Sequence, residues 1–417
     1  MDQNNSDSVN PKGMKRVLRA FKYRNYRLFF TGQGISVIGS WMQRIAMSWL
    51  VYHITNSPFL LGLVGFTGQI PTLILAPYAG VLSDRLNRIR IITLTQFLAL
   101  LQALTLSILV LTDKILVWHI VSLSIFLGIV TAFDNPTRQA FVVEMVENKE
   151  DLGNAIALNS FMFNSARLIG PSIAGILIAI AGEGICFLIN AISYVAVIVA
   201  LFMMKVKPKQ KTESKKRVWQ ELKEGSTYVL GFPPIRNILL LLSLISLVGM
   251  PYTILLPIFA KNVLGGGPQT LGFLMAGVGC GAIGGAIFLA SRKNAQGLDG
   301  IIPIASVVFG IGLISFSLSR IFFVSLILIA VSGFGMMVQN VSSNTFIQTI
   351  VDDDKRGRVM SFHSMSFMGI APFGSLLAGS LASRIGAPNT LMLGGIACLL
   401  GATAFASQLP KMRSRLT

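Results

Sequence analysis

The chain has 417 residues, of which 53% are hydrophobic and only 12% charged, and its formal charge is +18. So little charge on so much apolar sequence excludes a water-soluble globular domain, which would expose large sticky surfaces, and makes lipid the natural solvent. The positive charge does not point to nucleic acid, because the basic residues gather in alternate loops rather than on one domain.

Apolar runs long enough to cross a bilayer as helix recur twelve times, at 28–54, 58–82, 88–112, 116–141, 153–181, 184–204, 236–261, 268–291, 298–319, 321–350, 358–383 and 387–408. Each is longer than a barrel strand and lacks the strand's alternation, so the expected fold class is an all-α membrane protein of twelve transmembrane helices. The first 25 residues are polar and basic, without the apolar core of a cleavable signal. With that tail in the cytoplasm, Lys114, Lys261, Arg320 and Arg384 fall outside, Arg44 and Arg167 fall within spans, and every other Lys and Arg falls inside. The bias predicts that both termini are cytoplasmic.

Span one carries Gln33, Gln43 and Arg44. Between spans two and three lies GVLSDRLNRIR, with Gly80, Asp84, Arg85 and Arg88. Gly80 lets helices approach closely, and Asp84 can accept hydrogen bonds from the start of span eleven near Gly357. Arg88, one turn after Asp84, is expected to pair with Asp134 at the inner end of span four, itself four residues before Arg138. Asn87 suits a left-handed turn. Span five holds Asn159, Asn164 and Arg167, then Gly170, Pro171 and Gly175, a kink with close helix packing.

The stretch from Lys205 to Lys223 contains eight Lys or Arg residues and divides the spans six and six. The expected domains are a tail at 1–25, a six-helix bundle at 26–204, a linker at 205–235, a second bundle at 236–408 and a tail at 409–417. Within the linker, Val218, Trp219 and Leu222 have the spacing of a surface helix. The halves repeat. Gly153, Gly170 and Gly175 find counterparts 204 positions later at Gly357, Gly374 and Gly379, and SPFLLG at 57–62 matches GPQTLG at 267–272. SRKN at 291–294, in the place corresponding to the 80–90 segment, has no carboxylate.

GVLSDRLNRIR resembles the signature of the major facilitator superfamily, and ARLIGPSIAG resembles the Gly-Pro motif of its proton-linked exporters. Wider stretches, among them FDNPTRQAFVVEM, EDLGNAIALNS and RGRVMS, resemble the branch containing enterobactin-type siderophore exporters. The resemblance implies two pseudo-symmetric six-helix bundles, export by alternating access and proton antiport.

Charge inside a membrane is costly, so Arg44 and Arg167 are functional candidates. They stand roughly 24 and 20 Å along their helices, with none of the 17 acidic residues at that depth. An anionic, amphiphilic small molecule such as a siderophore would neutralise them, with Gln33, Gln43, Asn159 and Asn164 as hydrogen-bonding partners. In span ten, Gln339 with Ser343 and Asn340 with Asn344 form i,i+4 pairs that place a polar face on the pathway. Asp134 is the candidate proton carrier, and His53, His119 and His363 near span ends are expected to serve headgroups or loops. Cys186, Cys280 and Cys398 lack paired spacing, so no metal, disulfide or cofactor is expected. No nucleophile or acid pair points to an enzyme. Expected partners are the bilayer, a small-molecule substrate and protons, and the expected state is a monomer. Multidrug efflux and lysophospholipid flipping are the alternatives.

Overall fold

The computed structural model describes residues 18–146, 148–205, 218–292, 296–353 and 355–414, leaving outside the description the side chains of Pro77, Val81, Asp84, Lys149 and 218–224. Among the described residues every regular element is helix. The first group is α1 (Arg24–Thr55), α2 (Pro58–Arg85), α3 (Arg88–Leu111), α4 (Val117–Glu144) and α5 (Lys149–Met203). A short α6 (Val218–Gly231) follows, on the segment where a surface helix was expected. The second group is α7 (Pro233–Leu244), α8 (Tyr252–Ile258), α9 (Pro268–Ala290), α10 (Leu298–Leu318), α11 (Phe322–Ile350), α12 (Arg356–Ser364), α13 (Ala371–Ile385) and α14 (Ala387–Arg413).

Local chemistry sets the helix ends. Ser57 caps α2 by accepting from the Leu60 amide at 3.3 Å, with Pro58 at the first helical position. Asn87 caps α3 by accepting from the Arg90 amide. Its φ is −69°, so it stands in extended backbone and not in the left-handed turn expected of it. Asn56 and Asp113 are the non-glycine residues with positive φ among those described.

Ten stretches among the described residues are long and apolar enough to cross a membrane. The difference from twelve has two sources. Glu150–Met203, 54 residues, counts as one stretch although Gly182 inside it is non-helical, with φ 80° and ψ 171°. The α1 helix is absent from the ten because Arg24, Arg27, Gln33, Gln43 and Arg44 lower its hydropathy.

Within the first group α1 lies on α5, α2 on α4, and α3 on α4 and α5; within the second, α9 lies on α11, α10 on α11 and α14, and α13 on α14. The groups meet through α2 against α13 and α5 against α9, with α8 reaching α1 and α2. Four of the repeated glycines, Gly62, Gly175, Gly272 and Gly379, sit at these crossings. A Cβ on Gly62 would stand 2.9 Å from the Cα of Gly379, and one on Gly175 would stand 2.9 Å from the Cα of Gly272. No side chain larger than hydrogen fits at such a distance. At the opposite, basic ends of the helices, a Cβ on Gly80, Gly153 or Gly357 would meet nothing within 4 Å. In this conformation Gly80 therefore makes no close helix approach.

The chain enters the fold under a clasp. Lys22 Nζ lies 2.6 Å from Asp151 Oδ2, Tyr23 Oη donates to the same carboxylate, and the Ala20 amide donates to Asn154. The bond to Asp151 pushes the Lys22 ammonium pKa up.

Candidate functional site

Helix α1 and the part of α5 before Gly182 run side by side in the same direction: Gly34 faces Met162, and Gly170 sits against Trp41, Ile38 and Met42. That parallel packing brings the two in-span arginines to one indole. The guanidinium carbon of Arg44 lies 4.5 Å from the Trp41 ring centroid and that of Arg167 lies 5.9 Å from it. The quadrupole of the ring attracts each cation by about 0.5–1 kcal/mol where water reaches it. The two charges also act on each other. Among the described residues neither arginine has a carboxylate at ion-pairing distance. Arg44 remains exposed although it sits deep in its helix, so it faces an opening between helices.

Of the polar neighbours expected here, Asn164 stands one turn before Arg167, is exposed, and donates to the Ser160 carbonyl at 2.8 Å. Asn159 is half-buried. Gln33 lies three turns before Arg44 on the same face of α1, is 1% exposed, and its Oε1 has no partner. Gln43 is elsewhere. It donates to Gln102 of α3 at 2.9 Å and accepts from Asn190 of α5 at 2.7 Å, so it ties three helices together and does not join the arginines. The correction has a plain cause: adjacent positions on a helix point about 100° apart, so Gln43 and Arg44 cannot share a face.

Asp134 is 5% exposed and fully engaged: Oδ2 pairs with Arg138 at 2.7 Å, and Oδ1 accepts from Thr95 and Gln96, both at 2.9 Å. The Arg138 guanidinium also lies 5.5 Å from the Phe163 ring of α5. The expected bond from Arg88 to Asp134 is not made. Arg88 donates instead to Glu144 at 2.7 Å and to the Ala140 carbonyl, because it sits at the start of α3 and meets the end of α4, two turns or more beyond Asp134. Arg85 is exposed at the end of α2.

On α11 the bond from Gln339 to Ser343 is present at 3.3 Å, whereas Asn344 accepts from Gln348 and not from Asn340. Gln339 is fully buried with its Oε1 unpartnered, and Asn340 is half-buried with its Nδ2 unpartnered. Gly335, one turn before Gln339, packs on the backbone of Ala305 and Phe309, so this face of α11 turns to α10. Gly374 packs on the carbonyls of Ser246 and Leu247, in the π-helical segment Ile245–Gly249. A second π segment, Met365–Gly369, meets it, with Ser246 Oγ donating to the Phe367 carbonyl. Such wide turns are frequent where helices bend in function.

The histidines divide. His119 accepts from the Leu116 amide at a helix start, and His53 lies 3.4 Å from Glu183, both near helix ends as expected. His363 differs: it is 5% exposed, inside the protein, with its Nε2 unpartnered.

Sequence reasoning missed a latch at the end opposite the basic one. Asn262 Nδ2 donates to Tyr52 Oη at 2.6 Å, and Lys261 Nζ donates to Asn56 at 2.8 Å, joining the two groups beside the glycine crossings. It also missed Trp41, whose signal was an aromatic residue three positions before an in-span arginine. Tyr252, fully buried with its hydroxyl unpartnered, was the third omission.

A many-helix membrane chain that joins its two repeats through glycine crossings and keeps uncompensated cations deep among its helices belongs to the class of multi-pass membrane transporters and is not an enzyme. Residues 17–416 match the family model described as transmembrane secretion effector, and the chain belongs to this family of the major facilitator superfamily. It is similar to the staphyloferrin A transporter of Staphylococcus aureus, with 27% identity covering 89% of this chain and 93% of that one. It is similar as well to the macrolide efflux protein A of Streptococcus pyogenes, with 24% identity over 90% and 94% of the two chains. Among solved structures, a POT family transporter in complex with a thioalcohol conjugated peptide shares the fold at a TM-score of 0.74 and 12% identity, covering 93% of this chain and 96% of that one. A bacterial homolog of the human lysosomal transporter Spinster does so at 0.72 and 13% identity, over 92% and 96%.

Proposed function

We propose that this chain is a secondary active exporter that carries a small, amphiphilic anion of the siderophore type across the bacterial cytoplasmic membrane, driven by proton antiport. The observation that carries the reading is the pair Arg44 and Arg167 on Trp41 with no carboxylate beside them among the described residues. Two like charges at low dielectric repel and pay for desolvation, and an anionic ligand removes both costs. The siderophore transporter among the relatives supports the same substrate class.

The architecture proposed is twelve spans in two six-helix bundles, residues 26–204 and 236–408, with a linker at 205–235 and tails at 1–25 and 409–417. Glu150–Met203 is about 80 Å long as helix, far more than a bilayer of about 30 Å, so its break at Gly182 makes it two spans. With α1 added, the count is twelve. The basic ends of the helices face the cytoplasm, as do both termini, and the protein works as a monomer. The present conformation is then closed outside, at the glycine crossings and the Tyr52–Asn262 latch, and open inside. Closure of the inner side brings Asp84 to the start of α12 near Gly357.

Asp134 is the proton carrier of this scheme. Its oxygens hold bonds from α3 and from Arg138, which also donates to Asn135 and lies by the Phe163 ring of α5, so movement of α5 against α4 alters the groups around the carboxylate. Gln33, Asn159, Asn164 and Asn340 supply the polar lining, while Gln339 packs toward α10 and holds Ser343, and Gly170 with Pro171 supplies the bend in α5.

Vesicles holding the purified protein and an imposed pH gradient test the scheme, with a polycarboxylate siderophore and a cationic macrolide as competing substrates. Gradient-driven flux of the anion is expected, lost in the Arg44→Gln, Arg167→Gln double variant. Flux of the macrolide alone would reject the anion reading, and unchanged gradient dependence in Asp134→Asn would remove Asp134 from coupling.

A further inference from the structure

We infer that Tyr252, from the second half of the chain, completes the anion site by donating its phenolic hydrogen to a carboxylate held between Arg44 and Arg167. The inference rests on the anion reading above and adds a residue, a direction of hydrogen bonding and a role for the second bundle.

Tyr252 opens α8, directly after the π-helical segment Ile245–Gly249 and the turn at Met250 and Pro251. Its ring packs edge-on against Phe309 at 6.0 Å, so the apolar part is anchored in the second bundle. The residue is 1% exposed, and its hydroxyl has no hydrogen-bond partner among the described residues. Phenylalanine would fill this space without stranding a polar atom, and a stranded hydroxyl is costly. The charge of Arg167 acts on Tyr252, and α8 touches α2 and also α1, the helix that carries Arg44. Arg44, Arg167 and Tyr252 also stand at matching depth, each roughly 18 to 20 residues beyond the helix start at Arg24, Lys149 or Pro233.

The chemistry selects the ligand. Guanidinium groups only donate hydrogen bonds, so they can serve the phenol oxygen but cannot accept its O–H, and the tyrosine cannot neutralise them. A carboxylate accepts from all three at once. Because Tyr252 belongs to one bundle and the arginines to the other, a bound anion ties the bundles together, and occupancy acts on their relative position.

The test uses the full chain in detergent with dodecylsuccinate, an amphiphilic dicarboxylate, and its diamide as probes, titrated by Trp fluorescence. The wild type is expected to prefer the acid. Tyr252→Phe, which keeps the ring on Phe309, is expected to weaken acid binding about tenfold while leaving diamide binding unchanged and the ligand-free melting temperature equal or higher, since the variant no longer strands a hydroxyl. Equal loss for both probes would mark a packing role and overturn the inference. Wild-type affinity for the acid in Tyr252→Phe, together with loss in the double arginine variant, would overturn it and leave the anion reading standing. Absence of dodecylsuccinate binding in the wild type would overturn both.

Discussion

The two ends of the contact between the halves are built from the same residue type to opposite effect. At one end Gly62 meets Gly379 and Gly175 meets Gly272, each pair so close that a Cβ would collide with backbone. At the basic end Gly80, Gly153 and Gly357 face open space. A glycine in a helix therefore signals a close approach only where a neighbouring backbone comes to meet it, and in the proposed cycle the second set is free for the contact that closes the basic end.

The largest effect expected follows from filling the closed crossings. Gly175→Leu or Gly62→Leu forces backbone apart at a cost of about 1–3 kcal/mol or more. Spin-label distances across that end should lengthen, and unchanged distances would break the comparison. Gly80→Ala and Gly357→Ala are the matching controls: they remove a flexible residue from helix and should leave the melting temperature equal or slightly higher. Transport in these two variants should nonetheless fall if the basic end closes during the cycle, and full transport would remove that closure from the scheme.

A middle-sized effect belongs to the latch. Asn262→Ala leaves the Tyr52 hydroxyl without its partner and should loosen the closed end by about 0.5–1.5 kcal/mol, read as faster labelling of a cysteine placed near Asn56. The smallest effect belongs to the basic end. Lys355 beside Asp352 holds that carboxyl pKa below its usual value. Its contribution is present above the ordinary carboxylate pKa and disappears as pH falls through the lowered one. Asp352→Asn should thus lower the melting temperature slightly at neutral pH and not at all in strong acid, and an effect of equal size at both would refute the ion-pair account.

Much of the scaffold was legible because its cause is local. The basic loops between apolar runs mark the ends of helices, whereas Asn87, expected in a left-handed turn, instead caps α3 from extended backbone. The in-span arginines stood out because charge in an apolar run is rare. What was misread depends on angle and register. Gln43 turned away from Arg44 into the packing with Gln102 and Asn190, Arg88 took Glu144, and Asn344 took Gln348. Tyr252 looked like one more residue of an apolar run.

The sequence by itself determined that this chain lives in lipid as repeated helices, since burying backbone in hydrocarbon without helix leaves its polar groups unpaired. It also determined that two halves carry the same glycines at the same spacing. Only the tertiary structure decided how those repeats meet, crosswise between halves and not each with its own counterpart. The reason is that contact between helices depends on rotation and crossing over distances of tens of ångströms, which no local pattern encodes.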